Sequence, residues 1–444
     1  MTVYHRIGIV GLGYVGVTLA AALADKGYRV HGVDAQPRVR QALRAGRPHL
    51  YEPGVEEVFA RHVGRTLLVD EHLPADVDAV VLCVSTPVDE ETHEPRLENL
   101  AQAAASVART CRPGTLVVVR STVPVGTTRR VVLPVLTEAW GADVRLVMAP
   151  ERTIQGQALR ELVELPQVVG ALDDASAEAG QAFLGGLVRQ LVPVSSLEAA
   201  ELVKLANNCH TDLIYSFGNE LALIAGRHGL DPLEVIAAAN VDYPRPDLAR
   251  PGYVGGGCLS KDPYLMIASA QAEPPFLVGP ARRLNEHLPA HVAGEVVELV
   301  RQAHGSTRNA TLAVLGWAYK GWPPTDDMRG APVVAMLETF RAAGMTVLGH
   351  DPMVAAEVIR DLGAEPISLD KAFADADAVL VLTDHPDYRA LPVGSLLAGT
   401  PVRLVFDSWR ILDEAAVRAS GVRYAGIGYR APTSPARRER EVSA

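Results

Sequence analysis

The sequence predicts an α/β protein built from two doubly wound, parallel-sheet domains joined by a long central helix. Three observations carry this. Arg6–Val10 is a short apolar run that breaks into Gly11-Leu-Gly-Tyr-Val-Gly16, as a buried parallel strand does at the turn into a helix. A second block of strand–helix alternation opens at Thr311-Leu-Ala-Val-Leu315, followed by Gly316. Between them, residues 197–228 hold few helix breakers beyond Gly218 and Gly226 and read as one helix of about 30 residues, about 45 Å long.

The elements follow in order. A helix over 14–26 succeeds the first strand, and Arg29–Val33 forms a second strand ending at Asp34. Strands near 79–84, 115–119 and 145–148 alternate with helices near 97–110 and 126–138, and Val168–Gly170 and Leu191–Val194 extend the sheet. This is the Rossmann-like pattern. The second block predicts a helix near 330–343 and strands at Thr346–Gly349, Ala378–Leu382 and Arg403–Phe406, without the three-glycine signature. The expected domains are 1–196, a central helical region 197–300, and 301–430. The remainder, 431–444, is Arg- and Glu-rich without apolar anchors and is expected to be disordered. One small domain cannot bury so long a helix, so a partner subunit is expected against it.

The 444 residues are 48% hydrophobic and 21% charged, as in soluble globular proteins with substantial cores. Their net charge of -10 argues against general nucleic-acid binding. No run of 18 uncharged apolar residues predicts a membrane span. The four cysteines (Cys83, Cys111, Cys209, Cys258) lack CxxC spacing and disulfide density. With no signal-like start, they point to a cytoplasmic location. The 13 histidines show no HExxH pattern, so no catalytic metal is expected.

Gly11, Gly13 and Gly16 suit a dinucleotide: the first for a tight turn, the second for close approach of backbone to pyrophosphate, the third for helix–strand packing. Tyr14 and Val15 open the helix whose N-terminus attracts the anion. Asp34, 18 residues after Gly16, is placed to accept from a ribose 2'-hydroxyl and to repel a 2'-phosphate. NAD is therefore favoured over NADP, with Arg38 one helical turn on as the opposing signal.

The chemistry centres on Cys258 in Pro251-Gly-Tyr-Val-Gly-Gly-Gly-Cys-Leu-Ser-Lys-Asp262. An isolated cysteine is most often a small buried hydrophobe. Three preceding glycines permit close backbone approach to a ligand, and Lys261 favours thiolate. A thiol beside a nicotinamide site can capture an aldehyde as a thiohemiacetal, which is oxidised again to a thioester and hydrolysed. That pairing points to four-electron oxidation of an alcohol to a carboxylate. Asp262 is then the base that activates water. Lys204 and Asn208, four apart on the long helix, share a face and suit an oxyanion; by spacing alone, a solvated Lys204 paired with Glu201 is the commoner arrangement. Ser85-Thr86-Pro87, Ser121-Thr122 and Ala149-Pro-Glu151-Arg152 fall at predicted strand ends, where ligands of open α/β sheets bind. Thr122 would position a reacting hydroxyl or water and Glu151 accept a proton, though helix capping and turn chemistry fit each segment equally well.

Taken together, these pieces resemble the UDP-glucose/GDP-mannose dehydrogenase family. The resemblance runs from Ile7 to about Tyr429 through GLGYVG (11–16), STP (85–87), STVPVGTT (121–128), APER (149–152), ELVKLANN (201–208), GNE (218–220), PGYVGGGCLSKD (251–262), LGWAYK (315–320) and DDMRGAP (326–332). It implies an NAD-binding N-terminal domain, a central dimerisation region and a C-terminal domain that holds the nucleotide diphosphate of a UDP-sugar. It implies Cys258 as covalent nucleophile, Lys204 and Asn208 as oxyanion donors, and Asp262, Thr122 and Glu151 as managers of water and protons. Ser85, Thr86, Pro87, Ser121, Thr122, Lys261 and Arg329 are expected at the cofactor. Glu151, Arg152, Lys204, Asn208, Tyr253, Gly255, Gly256, Lys320 and Arg410 are expected at the substrate, with Arg245 reaching a partner subunit's sugar site. The run 150–162 is similar to that of enzymes acting on UDP-N-acetylhexosamines, whereas Lys261 is the UDP-glucose type and Gly257 stands where a histidine is frequent. The expected reaction is NAD-dependent oxidation of a sugar C6 hydroxyl to a uronate, with two NAD consumed. A two-electron hydroxyacid dehydrogenase and a non-catalytic sugar-nucleotide binder are the alternatives.

Overall fold

The computed structural model describes residues 4–242, 248–270 and 275–431. Arg245 and the tail from residue 432 lie outside them. The chain divides into two compact units, Met1–His210 with Lys261–Gly279, and Thr211–Ser260 with Pro280–Ala444.

The first unit holds strands β1 (Arg6–Val10), β2 (Arg29–Val33), β3 (Leu67–Asp70), β4 (Ala79–Leu82), β5 (Leu116–Val119), β6 (Arg145–Met148), β7 (Gln167–Ala171) and β8 (Leu191–Val194). They form one sheet in the order β3-β2-β1-β4-β5-β6-β7-β8. The central strands are apolar on both faces because helices cover both. One face packs Leu19, Leu23, Phe59, Leu162 and Phe183. The other packs Leu100, Val107, Leu136 and Trp140. Strand order reverses between β1 and β4, which opens a crevice at their carboxyl ends.

The second unit holds β9 (Thr311–Leu315), β10 (Thr346–His350), β11 (Glu365–Pro366), β12 (Ala378–Val381), β13 (Leu404–Asp407), β14 (Arg423–Gly426) and β15 (Tyr429–Arg430). Its order is β11-β10-β9-β12-β13-β14-β15. Helix Val278–His304 lays Leu288, Val292, Val296 and Val300 on one face, against Trp317 and Phe340.

Three features depart from the sequence expectation. Strand β7 pairs with β6 antiparallel, through Val147↔Ala171 and Met148↔Gly170. The segment 149–166 leaves the sheet at the carboxyl end of β6 and returns at that end, so no crossover reverses it. The helix expected over 126–138 is a wide turn, Thr128–Val132, running into Leu133–Trp140. Pro134 lacks the N–H that would bond the carbonyl of Arg130. Helix Val278–His304, with Pro289 inside it, falls largely in the region expected to be helical, but its bounds were not predicted and it runs past residue 300. The long helix spans Leu197–Arg227, as the sequence predicts. Among the described residues no helix is long and apolar enough to cross a membrane.

Candidate active site

In the first unit the glycine turn follows β1. Gly11 has φ +91°, and a Cβ there would lie 2.8 Å from the Cys83 carbonyl oxygen. A Cβ on Gly16 would lie 1.9 Å from the Gly11 carbonyl oxygen, so only glycine lets helix Tyr14–Asp25 start so close to the turn. Gly13 faces open space, with no atom within 4 Å of its would-be Cβ. Asp34 accepts from Leu12 N and Gln36 N, both at 2.8 Å, which fixes its carboxylate over a cleft of about 510 Å³. Gly13, Arg38 and His49 line the same cleft. Thr86 Oγ1 donates to the Thr122 carbonyl at 2.6 Å, and Ser121 Oγ to that of Val84 at 2.7 Å. Those hydroxyls pin the strand-end loops. Ser85 Oγ accepts from Asn99 at 3.1 Å, and the Pro87 carbonyl accepts from Arg96 N at 2.8 Å.

Glu151 is buried at the carboxyl end of β6. Arg120 Nε and Nη2 donate to its Oε2 at 2.9 and 2.5 Å, while Oε1 accepts from Arg152 N and Thr153 N at 2.7 and 2.9 Å. Burial pushes its pKa up, but the Arg120 charge, these bonds and the Lys204 charge outweigh it and hold it below the ordinary carboxylate value. It is thus an ionised group that takes a proton only by giving up a bond. Arg152 Nη2 donates to the Pro166 carbonyl. Lys204 is buried, and among the described residues its amine has no ion-pair or hydrogen-bond partner. Glu201 does not pair with it: its carboxylate accepts from Gly126 N and Thr128 N at 2.5 and 2.7 Å. Asp262 is fully buried, accepting from Asn208 Nδ2 at 2.5 Å and from Lys261 Nζ at 2.7 Å. The Lys261 ammonium, expected to favour the thiolate, is thus committed to Asp262.

In the second unit, exposed Cys258 lies in the short helix Gly256–Leu259 and outside any disulfide. Each glycine before it is closed by a neighbour. A Cβ on Gly252 would lie 2.4 Å from the Trp409 ring, on Gly255 2.3 Å from the Gly330 carbonyl oxygen, on Gly256 2.8 Å from the Tyr319 ring, and on Gly257 2.5 Å from Arg329 Nη1. Gly256 N donates to the Arg329 carbonyl at 2.8 Å. Buried Asn219 accepts from Gly252 N at 2.7 Å and donates to the Gly252 carbonyl at 3.0 Å. Buried Arg282, paired with Asp212, donates to the Leu259 carbonyl at 2.9 Å. Arg329, gripped by Asp327, has its pKa raised by that carboxylate first and by Cys258 further. Read in reverse, the guanidinium favours the thiolate.

The remaining expected substrate residues of this unit are engaged within it. Tyr253 shares a hydrogen bond with Ser408 at 2.9 Å. Lys320 Nζ sits 5.5 Å over the Tyr319 ring. Arg410, at φ +50°, pairs with Asp231 and Glu414 at 2.5 and 3.2 Å and stacks 3.8 Å over Tyr429. Sequence reasoning missed Arg120, Asn219, Arg282 and Glu52. A charge closing the apolar run Val117-Val-Val-Arg120 is a signal for the first, and the matched GNE triplet for the second.

Family models match three stretches. They are the NAD binding domain of the UDP-glucose/GDP-mannose dehydrogenase family over residues 5–185, its central domain over 198–287 and its UDP binding domain over 313–414. The chain belongs to the UDP-glucose/GDP-mannose dehydrogenase family. It is 33% identical over 435 residues to the UDP-N-acetyl-D-mannosamine dehydrogenase of Pyrococcus horikoshii, covering 95% of this chain and 99% of that one. A solved structure of the P. horikoshii enzyme superposes with a TM-score of 0.85 at 32% identity, covering 95% and 99% of the two chains. A UDP-glucose dehydrogenase from Pyrobaculum islandicum gives 0.82 at 29% identity, covering 96% and 98%. As a member of this family the chain is an NAD-dependent nucleotide-sugar dehydrogenase, an oxidoreductase acting on a CH–OH group. The open face of Gly13, the helix start at Tyr14 and the fixed Asp34 carboxylate fit the dinucleotide.

Proposed function

We propose that this family member oxidises the C6 hydroxyl of a UDP-N-acetylhexosamine to the uronate by a four-electron route through Cys258. The observation that carries this is the exposed thiol on a backbone gripped by buried Asn219 and Arg282 with a guanidinium beside it. A loop so fixed suits a nucleophile that must hold one intermediate through two oxidations. The 150–162 run and the N-acetylmannosamine-named relatives support the N-acetylhexosamine.

Bound NAD would be held by the Gly11–Gly16 turn and Asp34, and the chemistry it supplies is hydride acceptance, once per oxidation. The Cys258 sulfur adds to the C6 aldehyde, and the resulting thiohemiacetal loses a second hydride to become a thioester. Water then displaces the thiolate and releases the acid. Lys204, buried without an ion-pair partner among the described residues, and Asn208 donate to the oxygen that carries charge in the tetrahedral states. Asp262, held by Asn208 and Lys261, accepts a proton from the attacking water. Thr122 orients the reacting hydroxyl, and Glu151 is held ionised by Arg120, its backbone N–H donors and the Lys204 charge.

A homodimer is part of this reading. Ile214, Phe217 and Ile224, spaced by three and seven on helix Leu197–Arg227, expose a common apolar face of the kind that pairs with a second copy.

The test is a panel of UDP-N-acetylmannosamine, UDP-N-acetylglucosamine, UDP-N-acetylgalactosamine, UDP-glucose and GDP-mannose with NAD, read at 340 nm. An N-acetylhexosamine should turn over with two NADH per acid. One NADH per product would overturn the thioester route, and preference for UDP-glucose would overturn the sugar.

A further inference from the structure

Glu52 is a buried carboxylate to which the mechanism assigns no role. It sits just before helix Val55–His62, and among the described residues no cation pairs with it. Three neutral donors converge on it instead. The Tyr14 hydroxyl and Gly156 N, the latter at 2.7 Å, donate to Oε2, and Ala158 N donates to Oε1 at 2.7 Å. Only an acceptor-only group satisfies all three. A glutamine would set its own N–H₂ against a donor.

The donors come from two different functional segments of the first unit. Tyr14 is the fourth residue of the Gly11–Gly16 turn and the first of helix Tyr14–Asp25, whose N-terminus suits a pyrophosphate. Gly156, at φ +91°, and Ala158 belong to the segment that runs from Glu151 past the carboxyl end of β6. Two other backbone N–H groups there are held from within the same stretch, Thr153 N by Glu151 and Ile154 N by Glu161. Glu52 is the one carboxylate of this set that also holds the dinucleotide turn.

We propose that Glu52 is a positioning residue that couples the dinucleotide site to the sugar-recognising segment 152–158. This rests on the proposed function, in which the 150–162 run marks an N-acetylhexosamine enzyme and is taken to recognise that sugar. A pyrophosphate bound at the helix start fixes Tyr14; its hydroxyl fixes the Glu52 carboxylate, which fixes the backbone of Gly156 and Ala158. By linkage the sugar nucleotide must then tighten dinucleotide binding by the same factor. UDP alone, lacking the hexose, should not.

The experiment measures NADH affinity of the full-length protein by fluorescence, with and without saturating UDP-N-acetylmannosamine, and with UDP as control. NADH cannot turn the alcohol over, so the complex is stable. For the wild type, we expect NADH to bind at least about 5-fold tighter with the sugar nucleotide present, the low end of ordinary coupling. With UDP alone the change should stay below about 2-fold. In Tyr14→Phe, which removes one hydroxyl and leaves Glu52 on Gly156 and Ala158, the factor should fall below about 2; Glu52→Gln should behave alike. A merely structural role would weaken each affinity and leave the ratio unchanged. Equal ratios in wild type and Tyr14→Phe overturn the proposal while the functional assignment stands. Absence of turnover with every sugar of the panel overturns both.

Discussion

Consecutive glycines before the thiol should fail in different ways when replaced by alanine. At Gly255 the new methyl would stand 2.3 Å from the Gly330 carbonyl oxygen and 3.1 Å from Tyr319 Cβ, so backbone must part by about 1 Å. Overpacking of that kind costs about 1–3 kcal/mol. At Gly256, φ is +86° and the Tyr319 ring is 2.8 Å away, so about 1–2 kcal/mol of left-handed strain adds to the clash. At Gly257 the three nearest atoms to the methyl all belong to the Arg329 guanidinium, the far end of a largely exposed side chain that can shift at the expense of its bonds to Asp327. The loss there is that of a largely exposed ion pair, about 1 kcal/mol or less, and smaller than at Gly255 or Gly256. The displaced guanidinium would instead leave the Cys258 thiolate without its positive neighbour, so alkylation at neutral pH should slow several-fold. Urea midpoints of the three variants, with iodoacetamide rates followed by mass spectrometry, give the result. The reasoning fails if Gly257→Ala destabilises as much as Gly256→Ala, or if its alkylation rate matches wild type.

Cys258→Ser should form no acid, and trapped wild-type enzyme should carry the sugar adduct on Cys258; continued uronate release by the variant removes the sulfur from the mechanism. Lys204→Ala should lower kcat roughly 10²-fold or more with little change in KM, as for a donor used only in the transition state; a KM effect alone would assign it to ground-state binding. Arg120→Met leaves the Glu151 carboxylate buried without its cation, a loss of about 3–5 kcal/mol near pH 7. The pH dependence follows in sign. In wild type the Glu151 pKa is depressed, so its stabilisation is present above the ordinary value of about 4.3 and lost as pH falls through the lower folded value. In the variant burial raises that pKa, so the urea-stability gap should narrow as pH drops from 7 toward 4.

Local pattern was enough for the framework. Arg6–Val10, Arg29–Val33 and the helix from residue 197 are legible because apolar runs meet glycine or polar punctuation at their ends. The direction of β7 was not, because it depends on which end of the sheet the segment after β6 returns to. The bounds of helix Val278–His304 were hidden by Gly279, Pro289 and Gly294, each a breaker in one dimension. At the site, the matched segments name the groups that carry chemistry but not what fixes them. Nothing in the spacing of Asn219 and Gly252 says that one amide will satisfy both backbone groups of the other. Lys261 shows the converse: its position next to the thiol loop suggested thiolate support, and folding gave its ammonium to Asp262.

The construction of the thiol loop bears on why so many buried polar groups gather around it. Four glycines in six positions, 252 and 255–257, make a segment with unusual freedom to lose, about 0.5–1 kcal/mol each relative to alanine. Such a loop left to itself would place the sulfur loosely. Asn219 on Gly252, Arg282 on Leu259 and Gly256 on the Arg329 carbonyl together return about 1 kcal/mol per neutral bond and more for the charged one. These contributions are comparable to the entropic cost, so the loop is held near its folded geometry mainly through its backbone, with the buried Tyr253 hydroxyl on Ser408 as a side-chain tie of its own. Asn219 and Arg282 are buried and bond to backbone atoms. The glycines are needed because Trp409, Tyr319, Gly330 and Arg329 occupy the space their side chains would fill. The result is a nucleophile whose backbone is fixed from behind while its sulfur stays exposed, the arrangement required if one covalent intermediate must wait in place between two oxidations.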